Sequence, residues 1–383
     1  MNLFSKPFLS LDLGTDFVKI VSFKKTDTGL NVSALSQQSL PPGAIRGGII
    51  ADFKGVVESC GQALKELDDH PRSVVVSLGG ELVYSATTTA KMTRHQPTSL
   101  ISQNELNSIH KKVEEAAFIS ASGFLAGVSG NSEVEVSKIS SKILSNKIDG
   151  FVNSAPKGFK GEVVEVFLFS TYTISSLLEN VNKLVKTLGL IPVAVYDSAY
   201  TLSSFRDDFR DPSFNAILID VGGEATTVTV VFGGVLVGAR TVGLGGRFFT
   251  EAISQKLGIS RNEAELRKLN FIKHQLSEDL SILVKQAISF YTPLWLRGVL
   301  MAISDLEGIK TLPSTVILGG GGSLLPGLSE LIKTDSWTRN LPFKSPINLE
   351  LLQLKSTHFV SEVDILPQFF PAVAAGLVFS YDN

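Results

Sequence analysis

Cysteine and the other common metal ligands are scarce in this sequence. The 383 residues include a single cysteine, Cys60, so no intramolecular disulfide can form, and a reducing compartment such as the cytosol is favoured. The five histidines are scattered, and none has metal-ligand spacing with the cysteine or with a second histidine. The sequence therefore predicts neither a disulfide-stapled domain nor a zinc site.

Charge is also sparse. Charged residues make up 19% of the chain, the formal net charge is -2, and no run of Lys or Arg stands out. Proteins that bind nucleic acid usually carry a basic field, so we expect no nucleic-acid partner. Hydrophobic residues make up 44%, which is enough for sizeable cores, and the length predicts two or three domains.

Long uninterrupted apolar runs are missing as well. The stretch 286–296 is uncharged over 11 residues, and 365–381 is uncharged over 17 residues that include Pro367 and Pro371. Both fall short of the about 20 residues that a membrane span needs, so we expect two buried helices. The first residues, MNLFSKPFLSLDLG, lack the pattern of a signal peptide. Contact with a membrane is therefore expected to be peripheral or through a partner.

One pattern of residues occurs twice in the chain. FLSLDLGTDFVKIVSFKK (8–25) predicts strand, glycine turn and strand, and AILIDVGGEATTVTVVFGG (216–234) repeats it. The aspartates at the two strand ends, Asp12 and Asp220, lie 208 residues apart. That separation is too long for a solenoid repeat, and it indicates two related α/β lobes. The polar segment 206–213 is the clearest linker between them.

The glycine turns carry residue types that bind phosphate. Backbone N–H groups converging from a tight turn hold a phosphate, and only small residues let the backbone come that close. A third glycine run, 319–322, follows another predicted strand. Two carboxylates that face each other across a cleft can hold a hydrated Mg²⁺ against phosphate oxygens. The alternative is that each glycine turn is an ordinary hairpin and each aspartate a turn former.

The order of these motifs resembles the actin-like ATPase superfamily over nearly the whole chain. The resemblance implies an α/β, two-lobed actin/ribonuclease-H-like ATPase fold whose cleft binds ATP with Mg²⁺. It also implies a set of site residues: Asp12 and Asp220 at the metal; Gly14, Thr15, Lys19, Gly222 and Gly223 at the phosphates; Gly320 and Gly321 at the nucleoside; Glu265 and Lys268 near the ribose; and Asp197 as the catalytic residue that orients the attacking water.

Two segments resemble the FtsA/PilM branch of that superfamily. Residues 86–169 stand where those families carry a small inserted domain of the SHS2 type, and FFPAVAAGLVFS (369–380) resembles their closing helix. The resemblance implies four parts: a first lobe of 1–85, 170–207 and 357–383, an inserted subdomain of 86–169, a second lobe of 213–245 and 306–356, and a reduced subdomain of 246–305.

Departures from FtsA bear on activity and partners. Glu224 stands where FtsA usually carries a glycine, and its negative charge beside the phosphates implies an ATPase that is slow at most. The segment between Lys268 and Leu276 is too short for the strands of the FtsA subdomain that receives the FtsZ tail. We also expect no C-terminal amphipathic membrane helix of the FtsA kind. LPPGAIRGG (40–48) looks more like PilM.

The resemblance implies an ATP-binding, FtsA-like scaffold of bacterial cell division that links a cytoplasmic partner to the inner face of the membrane. The alternative is a PilM-like cytoplasmic scaffold of type IV pilus assembly. The implied partners are an FtsZ-like or PilN-like protein and further copies of the chain in a filament. A small-molecule kinase would share the cleft, but it needs a catalytic aspartate of its own, for which the sequence offers no clear candidate.

Overall fold

The computed structural model describes residues 6–26, 29–67, 70–204, 209, 211–306, 309–334, 337, 341–354 and 359–382. Of the predicted linker 206–213, only 209 and 211–213 fall within that set. The strands are β1 (Phe8–Leu13), β2 (Phe17–Thr26), β3 (Gly29–Ser39), β4 (Ile45–Arg46), β5 (Ile49–Ile50), β6 (Ser73–Leu78), β7 (Val83–Thr93), β8 (Val136–Ile148), β9 (Phe151–Val152), β10 (Val163–Ile174), β11 (Ile191–Asp197), β12 (Ala216–Val221), β13 (Thr226–Phe232), β14 (Val235–Val242), β15 (Thr315–Gly319), β16 (Asn348–Leu351) and β17 (Phe359–Ser361). The α-helices are α1 (Phe53–Lys65), α2 (Gln103–Ser129), α3 (Ser175–Thr187), α4 (Ser198–Leu202), α5 (Gly246–Leu257), α6 (Arg261–Ile272), α7 (Glu278–Ser304), α8 (Leu328–Ile332) and α9 (Phe370–Asp382).

The first lobe is built on a six-stranded sheet with the order β11–β6–β1–β2–β3–β17. β1 and β2 form an antiparallel hairpin, and β6 and β11 continue the sheet in parallel on the other side of β1. Because side chains alternate along a strand, Leu9 and Leu11 pack toward α1 and α3, whereas Phe8 packs toward α9. The sheet is therefore covered by helices on both faces.

The inserted part consists of β7, α2, β8, β9 and β10. α2 lies on β7 and β10 and buries residues at helical spacing, including Val113, Ala117, Ala121 and Leu125. β7 begins at Val83 and β10 ends at Ile174, so both strands run past the predicted boundaries of 86 and 169. The insert and the first lobe consequently share one hydrophobic core.

The second sheet has nine strands in the order β16–β15–β12–β13–β14–β7–β10–β8–β9. It therefore carries the second lobe at one end and the insert at the other. The two ends join where β14 pairs with β7 through one residue pair, Gly238 and Ala86. Residues 246–305, all of them described, form α5, α6 and α7 and contain no strand.

The duplicated motifs occupy equivalent places in the two sheets. Asp12 lies near the end of β1, between the antiparallel β2 and the parallel β6. Asp220 lies near the end of β12, between the antiparallel β13 and the parallel β15. Ligands of open α/β sheets bind outside the carboxyl ends of the strands, which is where both aspartates lie.

The two uncharged stretches lie in α7 and around α9. α9 is buried over most of its length. Within the described residues, α7 is long and apolar enough to cross a membrane by length and composition, and half of the apolar window is buried inside the protein. A packed core helix meets the same criteria, and Trp295 of α7 is fully buried in the core of the second lobe.

Candidate functional site

The first hairpin, between β1 and β2, turns at residues 14–16. A Cβ atom on Gly14 would lie 2.8 Å from the carbonyl oxygen of Phe17, so any larger residue would force the turn to shift. Lys19 folds back from β2, and its Nζ donates to Oδ2 of Asp12 at 2.8 Å. The hairpin thus brings an ammonium and a carboxylate together at the end of β1.

The second hairpin, between β12 and β13, is braced by the start of α5. Three of its carbonyl oxygens accept hydrogen bonds from residues there, with N···O distances of 2.7 to 3.0 Å. The donor and acceptor pairs are Gly246 to Gly222, Arg247 to Gly223, and Gly245 to Glu224. In the described part of the chain, the N–H groups of Gly223 and Glu224 donate to no partner. These two donors are therefore available to an anion.

The two hairpins touch across the cleft between the lobes. A Cβ atom on Gly223 would collide with the carboxylate of Asp16 and would lie 3.4 Å from Oγ1 of Thr15. The N–H groups of Thr15 and Asp16, like those on the opposite hairpin, donate to no described residue. Unpaired N–H groups on glycine-lined backbone are the features of a phosphate cradle.

The predicted metal ligands, Asp12 and Asp220, lie close enough across the cleft to interact. Burial and, secondly, the carboxylate of Asp12 raise the pKa of Asp220 to about 6, against the lowering effect of the Lys19 ammonium. Mg²⁺ keeps several waters and takes one or two carboxylates. Among the described residues no group of three acidic, histidine or cysteine ligands occurs. The carboxylate pair therefore fits a hydrated Mg²⁺ better than a metal enclosed by protein ligands.

The glycine run 319–322 passes against the end of the second hairpin. Gly320 has a φ of +81°, and a Cβ atom there would lie 2.5 Å from Oδ1 of Asp220. A Cβ atom on Gly321 would meet no described atom within 4 Å. A glycine is thus required at Gly320 by the positive φ and by the close approach of Asp220. Gly321 borders open space, on the side where the nucleoside is predicted to bind.

Asp197, predicted to orient the attacking water, caps α4. Its Oδ1 accepts from the N–H of Ala199 at 3.1 Å. Burial raises the pKa of Asp197 to about 6, against the lowering effect of hydrogen bonds from the Ser85 hydroxyl and from backbone N–H groups. β11 lies two strands from β1, so at about 4.8 Å per strand Asp197 and Asp12 are roughly 10 Å apart along the same sheet edge.

Glu265 and Lys268, predicted near the ribose, lie on α6 beside the start of α5. Nζ of Lys268 donates to the carbonyl oxygen of Gly246 at 3.0 Å and to the hydroxyl of Thr250 at 2.9 Å, and it pairs with Glu265 at 2.7 Å. An ammonium has three donors, so all of them are engaged inside the second lobe. The pair holds α5 against α6 next to the braced hairpin.

Arg247, in the first turn of α5, is a site residue that the sequence did not single out. Its Nε donates to Oδ1 of Asp16 at 2.7 Å, and its Nη2 donates to the carbonyl oxygen of Thr15 at 3.0 Å. These contacts join the second lobe to the turn of the first hairpin. The signal that could have found Arg247 is the Gly245–Gly246 pair directly before it, since such a pair marks close backbone approach at a helix start.

Glu224, predicted to add negative charge beside the phosphates, also joins the lobes. Its Oε2 accepts from the N–H of Gly47 at 2.9 Å, and its Oε1 lies 3.9 Å from Nη1 of Arg247. Burial raises the pKa of Glu81, and the neighbouring Glu224 carboxylate is the second cause, while the N–H of Gly243 lowers it. Acidic side chains from both lobes therefore meet at the junction.

The chain is similar to cell division proteins over most of its length. A family model described as cell division protein FtsA matches residues 217–361. Cell division protein FtsA of Streptococcus pneumoniae is 24% identical over 346 residues, which cover 85% of this chain and 72% of that protein. Cell division protein FtsA of Enterococcus hirae is 23% identical over 383 residues, which cover 93% of this chain and 82% of that protein.

A solved structure has the same architecture. A structure described as a PilM-PilN type IV pilus biogenesis complex matches with a TM-score of 0.68 and 20% identity, covering 97% of this chain and 98% of that chain. The fold is therefore the two-lobed actin-like fold, as predicted. At 20% identity this likeness shows the fold, and the FtsA matches show similarity in sequence to cell division proteins.

Proposed function

We propose that this protein is an ATP-binding actin-like scaffold of bacterial cell division, which links a cytoplasmic FtsZ-like partner to the inner face of the membrane. It works in the cytoplasm, touches the membrane peripherally or through a partner, and associates with copies of itself. Similarity to FtsA proteins across 85% and 93% of the chain supports the division role. Hydrolysis is slow at most, because Glu224 places a carboxylate beside the cradle.

The contact between the two aspartate-glycine hairpins is the observation that carries the nucleotide part of this proposal. Each lobe contributes one carboxylate and N–H groups that donate to no described residue, at the same point of the cleft. A triphosphate with its metal needs both, because backbone donors bind the phosphate oxygens while carboxylates hold the hydrated cation.

Each side chain has a role in this cleft. Asp12 and Asp220 would hold Mg²⁺, which neutralises phosphate charge when bound. The backbone at Gly14, Thr15 and Gly223 would bind phosphates, together with Lys19. Gly222, whose own N–H donates to the carbonyl oxygen of Ala225 at 2.9 Å, would let the turn come close to them. Gly320 and Gly321 would face the nucleoside, and Asp197 the attacking water. Glu265 would lie near the ribose, held in place by Lys268. Closure of the lobes around the nucleotide would bias self-association and partner docking.

Calorimetric titration of ATP with and without Mg²⁺ tests the proposed site. In the double variant Asp12→Asn, Asp220→Asn, the Mg²⁺-dependent affinity for ATP should fall about a hundredfold, or about 2.7 kcal/mol, because both cation ligands lose their charge. The matched control is Asp305→Asn, an exposed aspartate at the end of α7, which should bind ATP like the parent. Unchanged Mg²⁺ dependence in the double variant contradicts the metal assignment.

A PilM-like cytoplasmic scaffold of type IV pilus assembly is the second candidate. The observation that favours it is the likeness in fold to the PilM-PilN structure, with a TM-score of 0.68 over 97% of this chain. Its predicted partner is a PilN-like protein, and the same nucleotide cleft would serve it.

Binding to partner peptides separates the two candidates. Fluorescently labelled peptides from the C-terminal tail of FtsZ and from the N-terminus of PilN are titrated with the full chain, with and without ATP and Mg²⁺. The first candidate predicts saturable binding of the FtsZ peptide at least tenfold tighter than binding of its scrambled control. Preference for the PilN peptide supports the second candidate, and binding of neither contradicts both.

A further inference from the structure

The ion pair between Arg247 and Asp16 spans the two lobes at the phosphate cradle. Nη2 of Arg247 lies 2.6 Å from Oδ1 of Asp16, and the same nitrogen donates to the carbonyl oxygen of Thr15. Arg247 belongs to the second lobe, where its backbone N–H donates to the carbonyl oxygen of Gly223. Asp16 belongs to the turn of the first hairpin. Arg247 thus contacts both glycine hairpins, the first through its guanidinium and the second through its backbone N–H.

The carboxylate of Asp16 occupies the position between the hairpins. It lies so close to Gly223 that a Cβ atom on that glycine would collide with its Oδ2. The same two turns carry the N–H groups of Thr15, Asp16, Gly223 and Glu224, which have no partner among the residues that the structure describes. The carboxylate of Asp16 therefore lies where backbone N–H groups are arranged to bind the anion of a ligand.

A second contact between the lobes lies next to the ion pair. Glu224 accepts from the N–H of Gly47, in the turn between β4 and β5 of the first lobe. Glu224 also faces Arg247 at 3.9 Å. Two carboxylates from opposite lobes, Asp16 and Glu224, therefore lie near the guanidinium of Arg247. The contact between the lobes depends on which of them Arg247 pairs with.

We propose that Arg247 and Asp16 form a latch that holds the lobes together without nucleotide, and that a phosphate group of the nucleotide replaces Asp16 as the partner of Arg247. The exchange rests on the nucleotide site proposed above, whereas the latch itself does not. The side chains of Arg247 and Asp16 are 32% and 36% exposed, and such a solvated pair is weak enough to exchange. A phosphate carries more charge than a carboxylate and accepts bidentate hydrogen bonds from a guanidinium.

The two partners of the latch should change nucleotide affinity in opposite directions. Asp16→Asn removes the competing anion, so affinity for ATP with Mg²⁺ should rise about two- to fivefold. Arg247→Gln removes a charged donor to the phosphate, so affinity should fall about tenfold or more. A salt bridge with a purely structural role would shift affinity in the same direction when either partner is removed.

Distance measurements test the latch without nucleotide. Spin labels are attached at Lys54→Cys on α1 and Lys256→Cys on α5, which are exposed positions in the first and second lobes. Cys60 is buried and its thiol pKa is raised to about 12, so it stays unlabelled. Both Asp16→Asn and Arg247→Gln should lengthen or broaden the distance between labels measured by pulsed EPR.

Arg261→Gln is the matched control for both measurements. Arg261 forms an ion pair of the same length, 2.6 Å, with Glu251, but both residues lie within the second lobe. It should change neither the distance nor the ATP affinity. Unchanged distances in both latch variants overturn the latch. Affinity changes of the same sign overturn the exchange. Absence of ATP binding in the parent overturns the proposed function and the exchange, while longer distances in the variants would still confirm the latch.

Discussion

The buried carboxylate of Asp197 also stabilises the start of α4. It caps α4 through the N–H of Ala199, and only 5% of the residue is exposed. Burial is the main cause that raises its pKa to about 6, against an unfolded value of about 3.9. The folded state therefore binds a proton more tightly than the unfolded state between these two values. Stability associated with this group is present below pH about 4 and is lost as the pH rises through 6.

Asp197→Asn should stabilise the protein above pH 6. The amide keeps an acceptor for the cap but carries no charge to bury, and asparagine is as good an N-cap as aspartate. The free energy of unfolding should increase by up to about 3 kcal/mol at pH 8 and by about half of that at pH 5. Urea unfolding at the two pH values measures both numbers.

The control for this prediction is Asp52→Asn, a substitution at the exposed cap of α1. Asp52 accepts from the N–H of Gly55 at 3.0 Å, so the capping geometry is comparable while the burial is not. We expect a change below about 0.5 kcal/mol at either pH. A gain for Asp197→Asn that is equal at pH 5 and pH 8, or a loss, contradicts the assignment of burial as the cause.

Residues that repeat a local pattern could be identified from the sequence, and residues that depend on lobe arrangement could not. The hairpins of Asp12 and Asp220 follow from strand, glycine and strand patterns that span 18 and 19 residues. The contact between Arg247 and Asp16 joins positions 231 apart in the chain. No local sequence pattern indicates this contact, because it depends on how the two sheets and the start of α5 pack together.

Among the elements, α2 shows where local patterns fail. The sequence predicts a helix over about 102–117, but the helix continues to Ser129 through a segment rich in serine and glycine. Low helix propensity there is overridden by packing, since Ala121 and Leu125 continue the buried face against β7 and β10. Its exposed Phe118 and Ile119 obscure the periodicity.

Elements with strong caps or breakers were predicted to within a few residues. The sequence predicts a helix over about 261–270, which corresponds to α6, whose cap Ser260 accepts from the N–H of Glu263. The apolar run 73–78 predicts a strand, as does the apolar run before the glycines 319–322, and these correspond to β6 and β15. The boundaries of the insert were harder to predict because β7 and β10 pass without a break from the first lobe into the insert.

At the scale of the molecule, three hydrophobic clusters connect the parts. One joins the first lobe to the insert and one fills the second lobe. The third is shared, since it combines Phe8 and Phe23 of the first lobe with Leu218 and Ile317 of the second, and it includes α9. The lobes are therefore joined by a packed core as well as by the polar contacts at the cleft.

Gly376 of α9 is the tightest point of the shared cluster. A Cβ atom there would collide with the ring of Phe23, which is fully buried and stacks on Phe8 at 5.0 Å between ring centroids. Gly376→Ala should therefore lower the free energy of unfolding by about 1–3 kcal/mol. Gly61→Ala is the matched control, because a Cβ atom on Gly61 in α1 would meet nothing within 4 Å among the described residues. It should raise stability by about 0.5–1 kcal/mol.

Two probes of urea unfolding decide whether the shared cluster couples the lobes. The two tryptophans, Trp295 and Trp337, are both buried in the core of the second lobe, so their fluorescence reports on that lobe. Far-UV circular dichroism reports on the whole chain. Because α9 lies in a core built from both lobes, Gly376→Ala should move both midpoints together to lower urea. If only the midpoint measured by circular dichroism falls, the two lobes unfold independently. If Gly376→Ala instead raises the midpoint as Gly61→Ala does, α9 can move away from Phe23 at little cost in free energy.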